Sequence, residues 1–273
     1  MGELIKEIQD YRHLEWSRIR HSSGTAGSFL KAQEILCGVK KYYKLSNCDF
    51  AEGIIGHECV NEFVVDRLLS LMGIPHLSYD LVHALVVVDG IEREVYLCES
   101  ENFRRRNESK CAFDVFCEVG KYNTNDVIKI CQRMGWEQDV YTMLMVDYLI
   151  LNRDRHGANI EVLKDAVTKV VRLAPLFDHG LSLIFSCHSD SEIDKYDIFE
   201  DKKVQSFVGG SSTYENLRLI PKDKMPSAAK ALEVTPEMLF DGLDGIVTTK
   251  WMNTVYTMIV ERAKVYEGLR TSK

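Results

Sequence analysis

The chain has 273 residues, 34 basic against 41 acidic side chains, a formal net charge of −7 and 45% hydrophobic content. This composition excludes disorder as the main state and gives enough chain for one large domain or two lobes with a sizeable core. The acidic balance argues against a protein held on nucleic acid or an anionic membrane by its own field. No stretch approaches the ~20 apolar residues of a membrane helix; the best run, 140–151, is interrupted by Asp147. The N-terminus lacks the apolar core of a signal peptide. Lys6 stands where a myristoylation pattern after Gly2 needs Ser or Thr. The chain therefore reads as cytoplasmic. Eight cysteines occur with no two-residue gap between any pair, so they read as reduced, mostly buried thiols rather than zinc or disulfide positions.

Residues 38–45 form the first clear strand signal, rich in Val and Tyr. Apolar residues then recur at helical spacing from 54 to 72, closed by Gly73 with Pro75 beyond. Residues 81–88 and 94–98 flank Asp89-Gly90 and predict a β-hairpin. From there the chain turns mostly helical. Residues 125–134 end at Gly135, and 139–151 are apolar almost all round, as in a helix buried mid-lobe. Thr235-Pro236-Glu237 is a helix start, and 250–269 predict a long terminal helix with Trp251, Val255 and Arg262 on its inner stripe.

One segment breaks the helical half. A polar loop at 152–159 precedes short strands at 160–163 and 168–173, and a second loop follows with Asp178. A hairpin brings its ends together, so Asp154, Asn159 and Asp178 can converge. An Asp and an Asn with open coordination suit Mg²⁺, which completes its shell with phosphate oxygens and water. A second Asp can take a proton from an attacking hydroxyl, which is the layout of phosphoryl transfer. Lys44, at a strand end, can point at phosphates with Glu62 holding it. Ser22 to Ser28 is a glycine and hydroxyl loop whose backbone N–H groups can approach an anion. The Arg104-Arg105-Arg106 run, the Gly209-Gly210-Ser211-Ser212 stretch and the mixed charges of 188–201 read as solvated or connecting loops.

Five motifs in order carry a resemblance: Ser23-Gly-Thr-Ala-Gly-Ser-Phe-Leu-Lys31, Lys44-Leu45, Asn61-Glu62-Phe63, Asn152-x-Asp154-Arg-His156-x-x-Asn159 and Pro175-Leu-Phe-Asp178-His-Gly180. The chain resembles the HipA-like Ser/Thr kinase family. The resemblance implies an α+β, two-lobed protein-kinase-like fold, with a small antiparallel sheet plus helix at 1–100 and a mainly helical lobe at 101–273. It implies ATP and Mg²⁺ as cofactors. Asp154 is then the catalytic base, Asn159 and Asp178 the metal ligands, and Lys44 the phosphate-binding lysine paired with Glu62, with Lys40 and Lys41 as its competitors. Ser23, Gly24, Thr25, Ala26, Gly27 and Ser28 cover the phosphates. The adenine meets backbone at Cys98, Glu99 and on to Glu101, and His156 orders the catalytic loop. The implied reaction moves the γ-phosphate to a Ser or Thr of a protein substrate, with autophosphorylation at Ser22, Ser23 or Ser28. A small-molecule or lipid kinase, or a silent nucleotide-binding module, is the alternative. Family members carry an N-terminal subdomain ahead of the glycine loop. This chain is expected to be a short form without it, with any antitoxin-like or regulatory partner encoded separately.

Overall fold

A computed structural model of the chain describes residues 1–19, 26–49 and 53–272. The first part runs β1 (Leu4–Asp10), β2 (Ser17–Ile19), β3 (Ala26–Leu36), β4 (Val39–Lys44), the short pair β5 (Cys48–Asp49) and β6 (Gly53–Ile54), α1 (Glu58–Met72), β7 (Asp80–Val88) and β8 (Ile91–Glu101). Six of these strands form one sheet in the order β1-β7-β8-β4-β3-β2. Two-residue turns join β3 to β4 and β7 to β8. Cys37 with Gly38 and Asp89 with Gly90 both take positive φ there, which suits the right-handed twist of a tight hairpin.

The expected wholly antiparallel sheet needs correction, because β1 pairs parallel to β7. Its residues are mostly exposed or half-buried, so its charged sequence shows no alternating pattern to read. The helix also begins later than its apolar spacing predicted, since Gly53 and Ile54 pair with Cys48 and Asp49 instead.

The second part runs β9 (Glu108–Ala112), α2 (Phe113–Val119), α3 (Val127–Met134), α4 (Glu137–Leu149), β10 (Asp154–Arg155), β11 (Glu161–Asp165), β12 (Val171–Leu173), α5 (Asp190–Ile193), β13 (Gln205–Ser206), α6 (Thr213–Asn216), α7 (Pro236–Phe240) and α8 (Thr249–Thr271). Side-chain oxygens of Asp126, Thr235 and Thr248 cap α3, α7 and α8, and Gly135 ends α3 in the left-handed conformation. The expected hairpin at 160–173 is present as β11 and β12, with β9 added on its other edge. Among the described residues no helix is long and apolar enough to cross a membrane. All eight cysteines are free thiols.

The sheet's faces alternate. Val82, Ala84, Val86, Val95 and Leu97 pack with Leu14, Tyr43 and Leu45 in one core cluster. Leu81 and Cys98 belong to a second cluster with Phe63, Val64 and Leu68 of α1, which continues through α4 into Trp251 and Ile259 of α8. The strand half and the helical half therefore share one core, and α1 lies within it. That places α1 beside the cleft between the two halves.

Candidate active site

Strand β4 decides which lysine faces the cleft. Side chains alternate along a strand, so Lys40, Tyr42 and Lys44 line a cleft of about 580 Å³. Lys41 is turned to the other face, where it pairs with Glu99. Lys40 lies nearer the segment after β8, since its carbonyl accepts the Asn102 N–H. Lys44 Nζ donates to Glu62 Oε1 at 2.9 Å and to Asp178 Oδ1 at 2.7 Å. Burial opposes its charge, but the Asp178 and Glu62 carboxylates outweigh that and hold the ammonium well above its usual range. Glu62 has no exposed side-chain surface, and its second oxygen accepts the His179 N–H at 2.7 Å. The helix face thus fixes both the lysine and the start of the loop after Asp178.

The helical half supplies a buried frame for the polar loop. Asp147, the charge inside the apolar α4, accepts from Arg155 Nε at 3.0 Å and from Asn152 Nδ2 at 2.9 Å. Arg155 is 1% exposed. Its Nη2 donates to Asp147 Oδ1 at 2.9 Å, and its Nη1 to the carbonyls of Asn159, at 3.0 Å, and Phe177, at 2.9 Å. One guanidinium therefore joins the loop of Asp154 and Asn159 to the residue before Asp178. Asn152 Oδ1 accepts the Asp154 N–H, and Asn159 Nδ2 donates to the Asp154 carbonyl. The three polar residues expected from the hairpin argument are brought together by these bonds.

Asn159 and Asp178 both line the cleft; the Asp154 side chain sits beside it, 25% exposed, with His156 Nε2 3.7 Å from Oδ2. Asn159 Oδ1 is buried and has no hydrogen-bond partner. An orphaned amide oxygen near a carboxylate fits a hard divalent cation, which takes oxygen donors. Among the described residues no group of three or more His, Cys, Asp or Glu is gathered to hold a metal. Asn159 and Asp178 are the residues that would offer such an ion oxygen donors here. Mg²⁺ fills the rest of its sphere with phosphate oxygens and water.

The other expected residues fall less evenly. Ser23, Gly24 and Thr25 lie outside the described residues, while Ala26, Gly27 and Ser28 open β3. The expected loop thus passes into strand at its C-terminal end. Cys98, Ser100 and Glu101 line the cleft. Glu99 does not: it lies between Asp80 and Tyr43 in the sheet, and its carboxylate accepts from Tyr11 Oη on the far face. Strand β8 runs on to Glu101, so the turn out of the sheet comes at Asn102, Phe103 and Arg104 rather than at 98. Arg104 lines the cleft and is half-buried, which corrects its reading as a solvated loop residue. His156 accepts the Ala158 N–H on Nδ1 at 3.1 Å and caps the turn that carries Asn159. Its side chain is thus engaged in ordering the loop, and it is not part of the cleft lining. Asp147, Arg155 and Tyr79 are the residues that sequence reasoning passed over.

No family model and no curated protein matches the chain. Solved structures do. The crystal structure of CtkA, a proinflammatory kinase of Helicobacter pylori, superposes with a TM-score of 0.66 over 97% of each chain at 15% identity. A chain of the Shewanella oneidensis MR-1 toxin–antitoxin complex of HipA, HipB and operator DNA superposes with a TM-score of 0.59. That match covers all of this chain and 76% of the other at 14% identity. The chain has the HipA-like kinase fold. At such identities the likeness speaks for the fold, and the residues of the cleft carry any argument about chemistry.

Proposed function

We propose that this chain is an ATP-dependent phosphotransferase that moves the γ-phosphate to a Ser or Thr hydroxyl, on a protein. The observation that carries this reading is the meeting of Lys44, Glu62 and Asp178 on one wall of the cleft, beside the unpaired oxygen of Asn159. Residues 1–100 act as the nucleotide lobe and 101–273 as the helical lobe that holds the acceptor. The base lies against Ser100 to Arg104 at one end of the cleft, and the phosphates lie toward Lys44.

Each residue has a task. Lys44 places positive charge on the phosphates, and Glu62 keeps the ammonium from folding back onto Asp178 alone. Asn159 and Asp178 hold Mg²⁺, which when bound neutralises charge on the transferring phosphoryl group. Asp154 accepts the proton of the attacking hydroxyl; its partial exposure leaves it open to an acceptor from solvent. Arg155 fixes the two loops against each other. The fold shared with HipA, which is seen in complex with HipB and operator DNA, supports a separate regulatory partner here as well.

The test is ATP turnover by wild type, Asp154→Asn and Asp178→Asn, with Mg·ADP binding followed in parallel. Loss of the base should lower kcat by about 10²- to 10⁴-fold with nucleotide binding kept. A wild type that binds Mg·ADP but transfers no phosphate to any protein or water would refute the catalytic reading.

A further inference from the structure

The segment before Asp178 runs beside residues 75–77. The Leu77 N–H donates to the Leu176 carbonyl at 2.7 Å, the Leu176 N–H donates to Pro75 at 3.3 Å, and His76 bridges Leu176 in parallel. At Asp178 this ladder stops, because φ swings to 58°, the left-handed region. There the backbone partner becomes a side chain: the Asp178 N–H donates to Tyr79 Oη at 3.2 Å. Tyr79 is buried, lines the cleft with Lys44 and Asp178, and is anchored through its own N–H on Asp66 Oδ1 at 3.3 Å.

We propose that Tyr79 is a positioning residue for the Asp178 carboxylate: its phenol oxygen accepts the Asp178 amide, fixes the left-handed turn, and so aims the carboxylate at Lys44 and a bound divalent ion. Asp tolerates the left-handed region better than most residues, but that conformation is held where surrounding contacts determine it. Other ties to this loop hold other atoms. Asn61 Nδ2 donates to the Gly180 and Ser182 carbonyls, and Glu62 takes the His179 amide. Lys44 holds the carboxylate itself. The Tyr79 bond acts on the backbone of the residue whose direction matters. The metal half of this inference rests on the reading given under Proposed function.

Tyr79→Phe keeps the ring and removes the acceptor. Two measurements on the full chain test it: amide exchange at Asp178 in metal-free protein, and calorimetric binding of ADP with and without Mg²⁺. In wild type the Asp178 amide should be protected, and in Tyr79→Phe it should exchange about tenfold faster. The ratio of ADP affinity with Mg²⁺ to that without it, taken within each protein, should shrink by about tenfold or more in Tyr79→Phe, the usual effect of losing a partner that orients a ligand. An unprotected Asp178 amide in wild type overturns the proposal without recourse to any variant. So does a Tyr79→Phe protein whose ratio is unchanged. A wild type whose ADP affinity ignores Mg²⁺ overturns the metal reading of the cleft and the metal half of this inference; the exchange rates then decide the tether by themselves.

Discussion

Replacing Arg155 with methionine probes the joint on which the site depends. The guanidinium is 1% exposed and bonds the Asp147 carboxylate and two carbonyls. Methionine follows the stem but donates nothing. Removing one partner of a buried ion pair costs about 3 to 5 kcal/mol, because the other charge stays buried. Two carbonyls lose a donor as well, which adds to the loss. Against this, Asn152 still donates to Asp147 Oδ1 at 2.9 Å. The expected net loss is about 4 kcal/mol. An unfolding entropy of about 2.1 cal/mol/K per residue over this length turns that into a fall of about 7 °C in Tm. Urea unfolding followed by tryptophan fluorescence, with a thermal melt, reads both values. Adding Asp147→Leu to Arg155→Met should recover at least half of the loss, since no buried charge then lacks a partner. An Arg155→Met protein within about 1 kcal/mol of wild type, or a double variant no better than the single, would show that this pair is not what joins the loops.

Lys44→Met leaves the fully buried Glu62 without its cation and should cost about 3 to 5 kcal/mol near neutral pH. Burial already pushes the Glu62 carboxyl up, against the pull of Lys44. In the variant the folded state will hold the proton more strongly still. Stability then falls as pH rises above the unfolded value of about 4.3, so the deficit against wild type should be smaller at pH 5 than at pH 7.5 in parallel urea titrations; equal deficits would count against it. His179 runs the other way. Burial, with Arg155 next, holds its imidazole well below the usual range. The unfolded chain therefore binds more protons below about pH 6.5, and stability is lost as pH falls through that value by up to about 1.4 kcal/mol per unit. His179→Gln should flatten the slope between pH 5.5 and 6.5, and parallel slopes for the two proteins would refute the buried neutral ring.

Much of the site was legible because its residues lie close along the chain. Asp154 and Asn159 share one loop, and a hairpin of ordinary length returns the chain to Asp178. Short-range geometry of that kind survives without knowledge of the rest. The choice of Lys44 over Lys40 and Lys41 rests in the sequence on its strand-end position and apolar neighbour; the pairing of β4 with β8 adds the physical reason, by fixing which face each side chain takes. Strand β8 also reads from the sequence as ending too early, at Cys98. Cys98 to Glu101 lacks branched residues, yet β4 and β7 extend the strand through it by pairing from both sides. The parallel strand β1 is a sheet edge with little buried surface, so it leaves no period in the sequence. Asp147 did leave a signal: a carboxylate inside the apolar run 140–151 has to find a buried cation, and Arg155 is the arginine eight residues on.

The position of α1 bears on how the cleft works. A helix that buries one stripe can rotate on its neighbours at modest cost. This one is buried at every residue from Glu58 to Leu69. Arg67 donates to the carbonyls of Leu239 and Asp241, and Asp66 accepts the Gly2 N–H at 2.7 Å. Moving α1 outward would open the shared core and strand Glu62, Asp66 and Arg67 together, each at the cost of an unpaired buried charge. The bond between Lys44 and Glu62 is accordingly held by the packing of α1.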